Sequence, residues 1–79
     1  MRTFDDWRDR VLSNPDRYTA LKIARYRAGL HQTALASAAS IHPGSLSAFE
    51  APAGLPPKKR KTRAALATAL GVAEQELWA

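Results

Sequence analysis

Five of the twelve lysines and arginines in this chain fall within residues 58–63, as Lys58-Lys59-Arg60-Lys61-Thr62-Arg63. Cations at the start of a helix oppose its dipole, at roughly a few tenths of a kcal/mol each. A penalty repeated along a run points to an anion that offsets it, and a basic cluster on a small domain suits a polyanion. The other residues with chemistry to offer are sparse. His31 and His42 each stand without a histidine or acidic partner at metal-ligand spacing, and the chain has no cysteine. The seven carboxylates show no spacing that pairs an acid with a base or a nucleophile. The chain therefore reads as a binding protein and not an enzyme, with no catalytic residue, metal or cofactor expected.

The charge is uneven as well as large. Net charge is +5, yet four of the seven acids, Asp5, Asp6, Asp9 and Asp16, lie in the first sixteen residues. A chain of 79 residues makes one small domain with a modest core. The absence of cysteine fits a reducing compartment. No apolar run approaches the ~20 residues needed to span a membrane, and the opening Met1-Arg2-Thr3-Phe4-Asp5-Asp6 has no signal-peptide core. The cytoplasm, of a bacterium or serving a phage, is the expected location.

Periodicity and caps place these residues on a series of helices. Thr3 suits an N-cap, with Asp5 and Asp6 in the first turn. Phe4, Trp7 and Val11 recur at helical spacing, which predicts an amphipathic helix over 4–13. Asn14-Pro15-Asp16 reads as a stop and restart, with Asn14 capping a second helix over about 15–28 that buries Tyr18, Leu21 and Ala24 and turns Lys22 outward. Gly29 suits the left-handed residue that closes this helix. Two short helices follow, over about 32–39 and 43–50, joined by a turn at Ser40 and Ile41. Residues 51–57 hold three prolines and a glycine and must be a loop. A helix over about 58–70 faces the core with Leu66 and Leu70 and ends at Gly71, and a last short helix covers 73–78. The fold class is all-α, a compact bundle of five to six helices. Its single domain over 1–79 divides into a helical extension (1–14), a helix-turn-helix (32–50), a loop (51–57) and C-terminal helices (58–78).

The string A-G-L-H-Q-T-A-L-A from Ala28, then Ile41, then S-L-S-A-F-E ending at Glu50, then A-L-G-V from Ala69, resembles the helix-turn-helix domain of phage repressors and Cro. The resemblance covers about 20–78 and implies a lambda-repressor-like bundle, extended here by the first helix. It also implies double-stranded DNA as partner. In that family the glutamine opening the first motif helix binds a phosphate, a role that falls on Gln32, with Thr33 beside it. The positions that reach base edges fall on Pro43, Gly44, Ser47 and Ala48, with His42 at the N-cap. The loop and helix start that lie on the DNA backbone fall on Lys58, Lys59, Arg60 and Lys61. The arginine and glutamate that fix the angle of the motif fall on Arg25 and Glu50, expected as a largely buried pair.

This recognition helix departs from the family pattern. Base readout normally uses Arg, Lys, Asn or Gln, and 43–50 contains none of them. Ser45 and Ser47 offer single hydrogen bonds, Ala48 a contact to a thymine methyl, and His42 a contact to a phosphate or guanine. Either specificity leans on DNA shape, or the surface serves another partner. Two functions follow. One is a transcriptional repressor or autoregulator that binds an inverted repeat as a homodimer joined through 72–78. The other is a protein-interaction module on the same fold, such as an antitoxin or antiactivator, with a protein partner on the N-terminal helix. Trp7 and Trp78 are expected to pack, not to stack on bases.

Overall fold

The computed structural model describes residues 3–52 and 54–78. They form six α-helices: α1 (Phe4–Ser13), α2 (Ala20–Arg27), α3 (Gln32–Ala38), α4 (Pro43–Glu50), α5 (Arg60–Leu70) and α6 (Glu74–Leu77), with a 3-10 turn at Pro15–Arg17. No strand occurs among the described residues. The radius of gyration is 11.7 Å, near the ~11.6 Å of a packed chain of this length.

Local chemistry sets most helix ends. At Thr3 a full capping box forms: Asp6 N–H donates to Thr3 Oγ1 at 3.3 Å, and Thr3 N–H donates to Asp6 Oδ2 at 3.2 Å. Asn14 works on the opposite end from the one expected. Its amide donates to the Arg10 carbonyl at 3.0 Å and so closes α1, while the turn after it has no side-chain cap. The second helix is also shorter than its pattern suggested. The 3-10 turn gives way to extended backbone at Tyr18 and Thr19, and Thr19 caps a fresh start by accepting from Lys22 N–H at 3.3 Å. Tyr18 is therefore only half-buried, and Lys22 folds back to lie 5.2 Å from its ring centre.

Helix α3 is bounded by two turns of the same kind. After α2, Gly29 takes φ +73°, its N–H reaching the Tyr26 carbonyl and that of Leu30 the Arg25 carbonyl. After α3, Ser40 does the same at φ 57°, its N–H reaching Ser37 and that of Ile41 reaching Ala36. Both are Schellman closures, but the second places a serine where a Cβ is strained.

One core joins α2 to α6. Leu21, Leu35, Ala36, Ala39, Leu46, Leu66, Ala67 and Leu77 form it, with Ile41, Phe49, Leu70, Val72 and Trp78 packed around them. Small residues at 36 and 39 let the helices of the motif cross closely. The α1 helix lies outside this cluster, on α2, with Val11 fully buried and Phe4 stacked on Tyr26 at 5.2 Å. Trp7 is 41% exposed, with the Arg10 guanidinium 5.6 Å from its ring centre.

Candidate nucleic-acid interface

Glu50, the last residue of α4, is the point from which the motif is aimed. Arg25 donates through Nε to Glu50 Oε2 at 2.6 Å and through Nη2 to Oε1 at 3.2 Å. Both residues are about 4% exposed, so the attraction is little screened by water. The remaining arm of Arg25 donates to the Leu30 carbonyl at 2.8 Å, and its guanidinium lies 4.4 Å from the Tyr26 ring centre. The Glu50 backbone is held too, its carbonyl accepting from Thr19 Oγ1 at 3.1 Å. One residue thus ties α4 to both ends of α2.

Gln32 joins the same network. Its Nε2 donates to Glu50 Oε1 at 3.0 Å, which the pattern of residues did not suggest. An amide nitrogen carries two hydrogens, and the bond to Glu50 uses one of them. Gln32 is half-buried and Thr33 exposed, and both line a hollow of 430 Å³ with Phe4, Trp7, Arg25 and His31. The His31 ring makes no cap for α3. It leans against Phe4 at 4.4 Å instead. The first helix therefore begins beside the start of α3.

The outward face of α4 carries no charge. Leu46 and Glu50 are buried and Phe49 half-buried, while Pro43, Gly44, Ser45, Ser47 and Ala48 are all exposed. Leu46 and Phe49 enter the core at the spacing of one helical face, which leaves the small residues outside. Pro43 sits in the first turn, where its missing N–H costs nothing. His42 is the N-cap, its Nδ1 accepting from Gly44 N–H at 2.9 Å. That bond makes Nδ1 an acceptor, and the rest of the residue is exposed at the head of α4.

The basic run begins before its helix. Lys59 is the N-cap of α5 and makes no capping bond, and Arg60 opens the helix, two residues later than the pattern suggested. Lys58, Lys59, Arg60 and Lys61 are all exposed. Arg63 differs: it is half-buried, and its Nε is enclosed without a hydrogen-bond partner.

The fold joins part of this set. His42, Ser45, Ala48, Lys58, Lys59 and Thr62 line one groove of 680 Å³ together with the apolar Ile41, Phe49, Leu55, Pro56 and Pro57. Gln32 and Thr33 line the separate hollow beside α1, and Pro43, Gly44, Ser47, Arg60 and Lys61 border neither. Sequence reasoning did not single out Leu55, which is 75% exposed at the groove. Its one signal was a leucine between glycine and two prolines, where no helix or strand could bury it. Among the described residues, no group of three His, Cys, Asp or Glu is placed to hold a metal ion. No helix among them is long and apolar enough to cross a membrane. Comparison with models of known protein families, with curated proteins and with solved structures finds no match.

Proposed function

We propose that the chain is a DNA-binding transcription regulator of the lambda-repressor-like helix-turn-helix type, a repressor or autoregulator that acts as a homodimer on an inverted-repeat operator. The observation that carries this reading is the groove, which sets the exposed face of α4 beside the exposed cations Lys58 and Lys59. In this reading α4 lies in the major groove, and Lys58, Lys59, Arg60, Lys61 and the Gln32 amide hold flanking phosphates. Pro43, Gly44, Ser45, Ser47, Ala48 and the His42 ring are the residues that meet bases. A surface so small and uncharged reads sequence mainly through DNA shape.

One module of this size covers little DNA, so tight binding calls for two, with recognition helices about 34 Å apart. The segment 72–78 spends much of its apolar surface on its own core, since Leu77 is buried and Val72 and Trp78 pack against that cluster. A hollow of 390 Å³ between α2 and α6, lined by Ile23, Ala24, Leu70, Arg27 and Glu76 among others, is the surface we assign to a second copy. A two-fold contact there would bury this hollow against the same surface of the second copy.

Selection of bound duplexes from a random pool tests the reading. Enrichment of an inverted repeat with half-sites one helical turn apart is expected, and recovery of unenriched DNA would refute specific recognition. Log affinity should fall steeply with log salt. Removing one phosphate-binding cation, by Lys58→Gln or Lys59→Gln, should lower that slope by about 0.9. A second reading, a protein-interaction module, rests on the exposed Trp7 of α1. A partner held there would survive those two substitutions.

A further inference from the structure

The groove beside α4 has apolar lining that a phosphate backbone does not use. Ile41, Phe49, Leu55 and Pro56 supply it, while Lys58 and Lys59 line the same groove and are exposed. Phosphate oxygens laid on these side chains would lose water and gain no hydrogen bond. Leu55 is 75% exposed and continuous with the groove, so a ligand that covers it removes apolar surface from water. Cations beside apolar side chains match a ligand that is anionic along one side and apolar along the other.

The groove is also built in advance. The rings of Pro56 and Pro57 fix φ at both positions, and Pro57 also restricts ψ of Pro56. Gly54 N–H donates to the Ala51 carbonyl at 2.8 Å, and a Cβ on Gly54 would collide with the carbonyl oxygen of Ala48. The wall is thus seated against the end of α4, and a ligand has little chain to order on binding.

We infer that this groove is the docking site for an acidic amphipathic helix of a partner protein. Leucine-type side chains of that helix enter between Phe49 and Leu55, and its carboxylates face Lys58 and Lys59. Such a helix covers Ser45, Ala48 and both lysines, so it excludes DNA from the same surface. The exclusion rests on the DNA-binding reading; the docking does not.

The test uses the full chain and a fluorescent helical peptide of about 14 residues, with leucines at positions three and four apart and glutamates elsewhere. Saturable binding by anisotropy is expected, weakened roughly tenfold by Leu55→Ser and weakened also by Lys58→Gln with Lys59→Gln and by salt. Leu55→Ser should leave the helical circular dichroism unchanged, because the side chain already lies mostly in water. Equal binding of a scrambled peptide of the same composition would overturn the inference by reducing it to charge. Undiminished binding to the Leu55→Ser protein would overturn it as well, and so would binding of duplex DNA with none of peptide. Displacement of a labelled duplex by the peptide is expected, and a ternary complex would refute the exclusion. A protein that takes the peptide and no duplex would sustain the docking site and sink the regulator reading.

Discussion

Replacing Glu50 with alanine removes the acceptor of three side-chain hydrogen bonds, two from Arg25 and one from Gln32. The guanidinium left behind is 4% exposed and has no water to turn to. Breaking a buried pair from one side costs about 3–5 kcal/mol, because a buried charge is left uncompensated. Arg25 keeps its bond to the Leu30 carbonyl and its place over Tyr26, so the lower end applies, about 3 kcal/mol. A domain of this size has roughly 4–12 kcal/mol in all, and the loss corresponds to a fall in Tm of about 12–24 °C. Urea unfolding followed by far-ultraviolet circular dichroism reads the change as a lower midpoint at unchanged slope. Arg25→Met should cost as much, since it strands the carboxylate. The double variant Arg25→Met with Glu50→Met should return to within ~1 kcal/mol of the parent, because an apolar pair has no charge to desolvate. Two results would refute this reasoning. A loss below ~1 kcal/mol in Glu50→Ala would make the pair behave like an exposed one, and costs that simply add in the double variant would deny the coupling.

Other substitutions separate the parts of the motif. Ser40→Gly should stabilise by roughly 0.5–1 kcal/mol, because relief of a left-handed Cβ outweighs the extra freedom of glycine in the unfolded chain; a lower urea midpoint would contradict the strain at φ 57°. Gly54→Ala should destabilise by about 1–3 kcal/mol, or shift the 54–57 wall as seen in amide chemical shifts, since no space exists for the new carbon beside Ala48. His42→Ala should cost about 1 kcal/mol through loss of the cap to Gly44 N–H, and His42→Asp should restore it. The aspartate should at the same time weaken duplex binding by adding an anion at the head of α4, which a gel-shift titration would measure.

The legibility of the interface varies with the range of the interaction concerned. The bounds of α1 and α4 match the expectation residue for residue, because a capping threonine, a leading proline and apolar spacing act within one or two turns. The start of the second helix does not match. Asn14-Pro15-Asp16 satisfies every local rule for an N-terminus, yet only a 3-10 turn forms there, and α2 begins where Thr19 also reaches the Glu50 carbonyl. That contact joins residues 31 apart in the chain, beyond any local pattern. The basic run is evident from composition, although its first two residues lie before α5, whose first residue is Arg60. Phe4, Trp7 and Val11 share helical spacing, yet α1 buries Val11 fully, stacks Phe4 on Tyr26 and leaves Trp7 41% exposed with Arg10 beside its ring.

Four features follow from the order of residues: the all-helical class, the glycine closures at Gly29 and Gly71, the uncharged face of α4, and, through the resemblance, the Arg25–Glu50 pair. Caps, periodicity and backbone freedom are properties of a few neighbouring residues, so they can be read in turn along the chain. Other features arise in three dimensions alone. Gln32 clasps Glu50, Gly54 is wedged beneath Ala48, and His42, Ser45 and Ala48 share a groove with Leu55, Lys58 and Lys59. Those juxtapositions depend on how α4, the proline-rich loop and α5 pack around one core. Packing is set by the mutual fit of side chains remote in sequence, which no local pattern contains.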